Sequence, residues 1–132
     1  MVTVLANGCF DLLHAGHVAH LQEARAMGDR LVVALTVDDS VWKGRGRPIC
    51  RWEERAAVLR ALACVDAVVP SRSGLEAVLR VRPQVFAKGP DYADTLAGIV
   101  REACAEVGAE IRFTSAPKMS TGEIIARVRA CA

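Results

Sequence analysis

Histidines 14, 17 and 20 are the only three in the chain, and they fall three residues apart in the stretch NGCFDLLHAGHVAHL (7–21). Imidazole can donate a hydrogen bond, exchange a proton or bind a metal, so this spacing admits more than one chemistry. If a helix starts near Gly16, His14 and His17 straddle its first turn, where free backbone N–H groups attract anions. Both rings then point at a phosphate held there, and Gly8 lets the backbone approach the same ligand closely. HxxHxxH is also a zinc-like pattern, although no cysteine or carboxylate set completes it and His20 should lie well inside the helix. The blander reading is a tight turn of structural histidines, and His20 alone reads as structural.

Three further segments carry unusual residues. VDDSVWKGRGRP (37–48) packs Lys43, Arg45 and Arg47 among glycines, as a mobile phosphate-gripping loop would, or simply a solvated basic loop. AKGPDY (87–92) offers Lys88 to a phosphate, and Asp91 or Tyr92 to a hydroxyl or a base edge. APKMSTGE (116–123) sets Ser120 and Thr121 before a final helix, as a cap whose hydroxyls can also meet a phosphate. Neither a Walker loop nor a GxGxxG fingerprint is present.

The elements that must position these segments alternate. Strands are expected over 2–6, 30–37, 66–70, 84–89 and 110–114, from their apolar and β-branched content. Helices are expected after Ala15 and over 52–62, 74–81, 94–108 (ended by Gly108) and 121–131, with a loop over 38–50. Strands separated by helices give right-handed βαβ units. The fold class is therefore α/β, a Rossmann-like doubly wound five-stranded parallel sheet. Such a sheet binds ligands beyond the C-terminal ends of its strands, where strand order reverses. The four unusual segments follow the first, second, fourth and fifth strands. They face one another if the fourth strand lies beside the first.

Length and composition bound the rest. At 132 residues the chain reads as one domain, 1–132. A net charge of +2 suggests neither a nucleic-acid coat nor a membrane-binding surface. Apolar runs such as LVVAL (31–35) are strand-sized, too short to cross a bilayer. Asn7 and Asp11 interrupt the N-terminal stretch and no basic segment precedes it, so it does not read as a signal peptide, and a cytoplasmic location is expected. Five cysteines, at 9, 50, 64, 104 and 131, form no CxxC pair and argue against a disulfide framework or a zinc knuckle. Cys64, Cys104 and Cys131 are expected in the core.

GCFDLLHAGH resembles the G-x-F-D-x-x-H-x-G-H signature of the small cytidylyltransferase-like nucleotidyltransferases. The resemblance continues through ARAMGDRLVVAL, the lysine loop, RWEERAAVLRALACVDAVV, KGPDY and the Ser-Thr pair, nearly the whole chain. Within the family the chain is most similar to the adenylyltransferase domains of ADP-heptose synthases, and next to the glycerol-3-phosphate cytidylyltransferases. The resemblance implies that His14, His17 and Lys43 are catalytic, contacting the phosphates together with backbone around Gly8, Cys9, Phe10 and Asp11. It implies that Lys88, Gly89, Asp91, Ser120 and Thr121 complete the nucleotide site, and that Arg55 and Asp38 serve the acceptor or a phosphate. The chain departs from the family where Gly122 replaces the last hydroxyl of a Ser-Thr-Thr run. It also lacks the arginine that cytidylyltransferases carry just before that run, with only Lys118 nearby.

The reaction so implied is transfer of a nucleoside monophosphate from a triphosphate, ATP over CTP, to a phosphorylated sugar such as a heptose 1-phosphate, releasing pyrophosphate. The attacking phosphate is already an anion, since its second pKa is about 6, so no general base is required. Positioning and donors to the α-phosphoryl oxygens and the leaving group are required. Mg2+ would travel with the triphosphate rather than occupy a protein-only site. A homodimer is expected, with no nucleic-acid or membrane partner. Alternatives are a CTP-dependent enzyme acting on glycerol 3-phosphate or another small phosphate or phosphonate, and a nucleotide-binding module without catalysis.

Overall fold

The apolar run at the N-terminus extends as β1 (Thr3–Gly8), the central strand of a five-stranded parallel sheet in a computed structural model that describes residues 1–117 and 119–132. Lys118 lies outside the described residues. The chain continues through α1 (Ala15–Arg25), β2 (Arg30–Thr36), α2 (Trp52–Arg60), β3 (Ala67–Ser71) and α3 (Gly74–Val81). It ends with β4 (Val85–Lys88), α4 (Gly98–Val107), β5 (Glu110–Phe113) and α5 (Thr121–Ala130). Strand order is β3-β2-β1-β4-β5, so the sheet grows outward from β1 in both directions. The reversal falls between β1 and β4, where Ala6 pairs with Ala87. The expected doubly wound parallel sheet is the observed one.

Alternation along β1 assigns its side chains to two cores. Val4 and Ala6 pack with Leu21 and Ala24 of α1 and with Ala56 and Leu59 of α2. Leu5 packs on the opposite face with Phe86, Ala77 and Val78 of α3, and Val100 and Cys104 of α4. Each fully buried leucine or phenylalanine contributes about 1.5–3 kcal/mol, so both faces anchor the sheet firmly. The strand ends that carry the loops are thereby a rigid platform.

Two expectations change. The helix expected over 94–108 begins only at Gly98. A 3-10 turn at Pro90–Tyr92 precedes it, and the segment between makes local bonds instead: Thr95 Oγ1 donates to the Asp91 carbonyl and the Arg101 guanidinium to the Ala93 carbonyl. The helix does end at Gly108, whose φ of 76° is the left-handed cap that glycine favours. Cys104 is buried and Cys64 half-buried, but Cys131 is exposed, because it follows α5, a helix that buries none of its own residues. Among the described residues no helix is long and apolar enough to cross a membrane.

Candidate active site

His14 is the N-cap of α1 and His17 is its third residue. The Gly16 N–H donates to His14 Nδ1 (3.1 Å), and the His14 N–H donates to His17 Nδ1 (3.3 Å). Two imidazoles thus form a capping box, a task usually given to Ser or Thr with Glu. Accepting through Nδ1 forces each neutral ring to carry its proton on Nε2. The rings stack with centroids 3.7 Å apart, and Phe10 packs edge-on against His17 at 5.4 Å. Gly16 fits closely here, since a Cβ would lie 3.0 Å from the His14 ring. His14 Nε2 is buried without a hydrogen-bond partner among the described residues, and both rings line a cavity of about 500 Å3 at the switch point.

Burial keeps these rings neutral. Desolvation, reinforced by His14, His20 and Lys43 and opposed by Asp11, pushes His17 down from 6.5 to about 4. Burial lowers His14 and His20 as well. A depressed histidine binds its proton less readily folded than unfolded, so its stabilisation is complete above pH 6.5 and disappears as pH falls through the folded value. The melting temperature should therefore fall steadily between pH 6.5 and 4, and His17→Gln should flatten that window in thermal melts. An unchanged slope in the variant would remove His17 from the account.

The loop before α1 is wound tightly. Phe10 (φ 45°) and Leu12 (φ 52°) adopt left-handed backbone, a strain of about 1–3 kcal/mol each, carried by surrounding packing and hydrogen bonds. Phe10 is buried, and the Asp11 carbonyl accepts from Thr121 Oγ1 at 2.8 Å. The Asp11 carboxylate accepts from Ile49 N–H, Cys50 N–H and Arg47 Nε (2.9 Å). Burial would raise its pKa, but the Cys50 and Ile49 N–H groups and Arg47 outweigh that and hold it below 3.8. Asp11 therefore ties the basic loop to the histidine loop, a connection with no signal in sequence spacing.

Lys43 lines the cavity from an exposed stretch and is followed by Gly44 (φ 104°) and Gly46 (φ 81°). Arg47 also lines it. Arg55 and Asp38, expected at the acceptor, are not among the lining residues. The Arg55 side chain is 1% exposed and pairs with Asp38. Its Nε donates to the Cys50 carbonyl, and Nη1 to the Cys9 and Thr36 carbonyls. With four of these bonds made inside the protein, Arg55 is a bolt across the ends of β1, β2 and the start of α2, which corrects its placement at a phosphate.

Across the switch point β4 contributes Lys88, followed by Gly89, Asp91 and Tyr92, all lining the cavity. Gly8, Cys9, Ser120 and Thr121 line it too. Ser120 caps α5 by accepting from the Glu123 N–H, so the expected cap is present. His20 also reaches the cavity, its Nδ1 2.6 Å from Thr114 Oγ1. Thr114 escaped sequence reading; its position just past β5 was the signal available. All three histidines use Nδ1 within the protein, and no group of three His, Cys, Asp or Glu side chains among the described residues is disposed to hold a metal.

A helix start at a parallel-sheet switch point, fitted with two Nε2–H donors and faced by lysines, places the chain among the α/β nucleotidyltransferases. It belongs to the cytidylyltransferase-like family, whose sequence profile matches residues 5–127. It is 44% identical over 131 residues to the bifunctional protein HldE of Methylococcus capsulatus, covering 96% of this chain and 28% of that protein. To the bifunctional protein HldE of Koribacter versatilis it is 54% identical over 101 residues, covering 74% of this chain and 20% of that one. The chain thus spans about a quarter of the length of these relatives. A solved lipopolysaccharide core biosynthesis protein from Thermoplasma volcanium superposes with a TM-score of 0.71 at 28% identity, covering 91% of this chain and 99% of that one.

Proposed function

We propose that this chain transfers the nucleoside monophosphate of a triphosphate, ATP in preference to CTP, to a sugar 1-phosphate, with heptose 1-phosphate the favoured acceptor. The observation that carries the reading is the pair of imidazoles whose Nδ1 atoms are committed to the start of α1, which leaves Nε2–H as the donor on each ring that lines the cavity. An acceptor phosphate oxygen attacks the α-phosphorus; the new P–O bond forms as the α–β bridging P–O bond breaks, and that electron pair leaves with pyrophosphate. The oxygen is already anionic, so the protein has no proton to remove. Donors fixed before the reaction stabilise the charge that grows on the α-phosphoryl and leaving oxygens without reorganising. Mg2+ carried with the triphosphate would supply further charge neutralisation.

Preference for ATP rests on similarity: KGPDY and KGRGRP resemble the heptose-phosphate adenylyltransferases. Separate calorimetric titrations with ATP and CTP test it. Tighter binding of ATP is expected; tighter binding of CTP, or turnover only with CTP and glycerol 3-phosphate, would replace the base and the acceptor. Lys43 in this reading closes over bound nucleotide from its glycine-flanked loop. Lys43→Ala should reduce pyrophosphate release while shifting stability by about 0.5 kcal/mol or less, as exposed loop substitutions do. A large fall in melting temperature would make this lysine structural.

A further inference from the structure

The connector from β5 to α5 lines the cavity with Thr114, Ala116, Pro117, Met119 and Ser120, but the two elements it joins hold it weakly. β5 is a four-residue edge strand that pairs with β4 alone among the described residues, and α5 buries none of its own residues. The last hold of the sheet is the Thr114 N–H, which donates to the Lys88 carbonyl (2.8 Å). Beyond it the connector is placed by its bonds to α1 and to the loop before α1. At the far end the Thr121 hydroxyl donates to the Asp11 carbonyl (2.8 Å). At the near end α1 supplies two side chains three residues apart, hence neighbours on the helix surface. His20 Nδ1 meets Thr114 Oγ1, and the Glu23 carboxylate accepts from both donors of Ser115, the N–H (2.9 Å) and the Oγ–H (3.2 Å). His20 lines the cavity and Glu23 does not, so Glu23 acts on a ligand only through Ser115 and the connector.

The same helix carries His14 and His17 at its start, so Glu23 fixes the connector relative to the element that receives the phosphates. The two adjoin: a Cβ on Gly16 would lie 3.2 Å from Met119 Cβ. Ala116, Pro117 and Met119 present apolar surface to the cavity. A triphosphate gains nothing from such a surface, whereas the face of a base and the C–H groups of a ribose gain dispersion contacts. Those contacts fade steeply with a gap of half an ångström, so the wall must be held in place to be of use. Resting on the nucleotidyltransferase reading above, we propose that Glu23 is a positioning residue for the nucleoside. By clamping Ser115 it sets the wall on which base and ribose pack, at a fixed distance from phosphates held at the start of α1.

The test uses the full chain, titrated calorimetrically with ATP and with inorganic tripolyphosphate, beside steady-state pyrophosphate release. Glu23→Ala should weaken ATP by about 10-fold, the scale of a lost charge-assisted hydrogen bond, and leave tripolyphosphate within about twofold. In turnover the KM for ATP should rise by a similar factor while kcat at saturating ATP stays within about threefold. Glu23→Gln should recover most of the loss, because its carboxamide oxygen still accepts from the Ser115 N–H. A distorted α1 would instead weaken both ligands and lower kcat. Unchanged ATP affinity and KM in Glu23→Ala, an equal loss of tripolyphosphate affinity, or a glutamine variant as weak as the alanine one overturns the proposal. Failure of the underlying reading looks different: the unmodified chain would not bind ATP at all.

Discussion

Replacing His14 by asparagine should leave the chain folded and almost inactive. The asparagine oxygen can still accept from the Gly16 N–H, as His14 Nδ1 does, so α1 keeps its cap. What disappears is the Nε2–H, the buried atom with no hydrogen-bond partner among the described residues. Loss of one preorganised donor lowers kcat by about 10²-fold or more. His14→Ala should lose the same activity and, in addition, about 1 kcal/mol of helix capping. His17→Ala should match it in rate, because its ring is held by the same device. His20→Ala should cost far less, since its Nδ1 is engaged with Thr114. Steady-state pyrophosphate release and thermal melts on the four variants separate these effects. If His20→Ala were the most damaging of them, phosphate donation would be the wrong role and metal binding would return.

Arg55→Met should be the most destabilising single change at the site. The guanidinium supplies donors to the Cys9, Thr36 and Cys50 carbonyls and a partner to Asp38. Methionine fills much of the volume but leaves those oxygens without their donors. Breaking a buried charged network costs about 3–5 kcal/mol, and Asp38, partly solvated, moderates the upper end. In a domain of this size that lowers Tm on the order of 10 °C. The affinity for nucleotide measured below the new Tm should change little. A stable Arg55→Met protein with a raised acceptor KM would return the arginine to the substrate.

These two predictions also mark where sequence reading succeeded and failed. The sheet was legible because β-branched runs of strand length alternate with helical ones, and parallel topology follows from that alternation. The place of His14 and His17 at the start of α1 was legible because the apolar spacing after Ala15 marks where that helix begins. Arg55 was not. A lone arginine in a helix carries no mark that tells a phosphate partner from three backbone carbonyls, and the tertiary fold decides. Asp11 is similar: its partners at 47–50 lie far along the chain and two are backbone N–H groups, which have no residue signature. The left-handed Phe10 and Leu12 were hidden for the opposite reason, since their residue types argue against that backbone and only packing imposes it. The late start of α4 reflects local competition, with Arg101 bonding the Ala93 carbonyl that a helix begun at residue 94 would have used.

The most direct test of the account is the stoichiometry of pyrophosphate release when the purified chain is incubated with ATP, Mg2+ and a panel of sugar 1-phosphates. Pyrophosphate should appear only when an acceptor is present, one for each nucleotide-linked sugar formed, and release should nearly vanish in His14→Asn. Contradiction would take one of two forms: no pyrophosphate from any of the four common nucleoside triphosphates with any acceptor, or release that proceeds equally well without one.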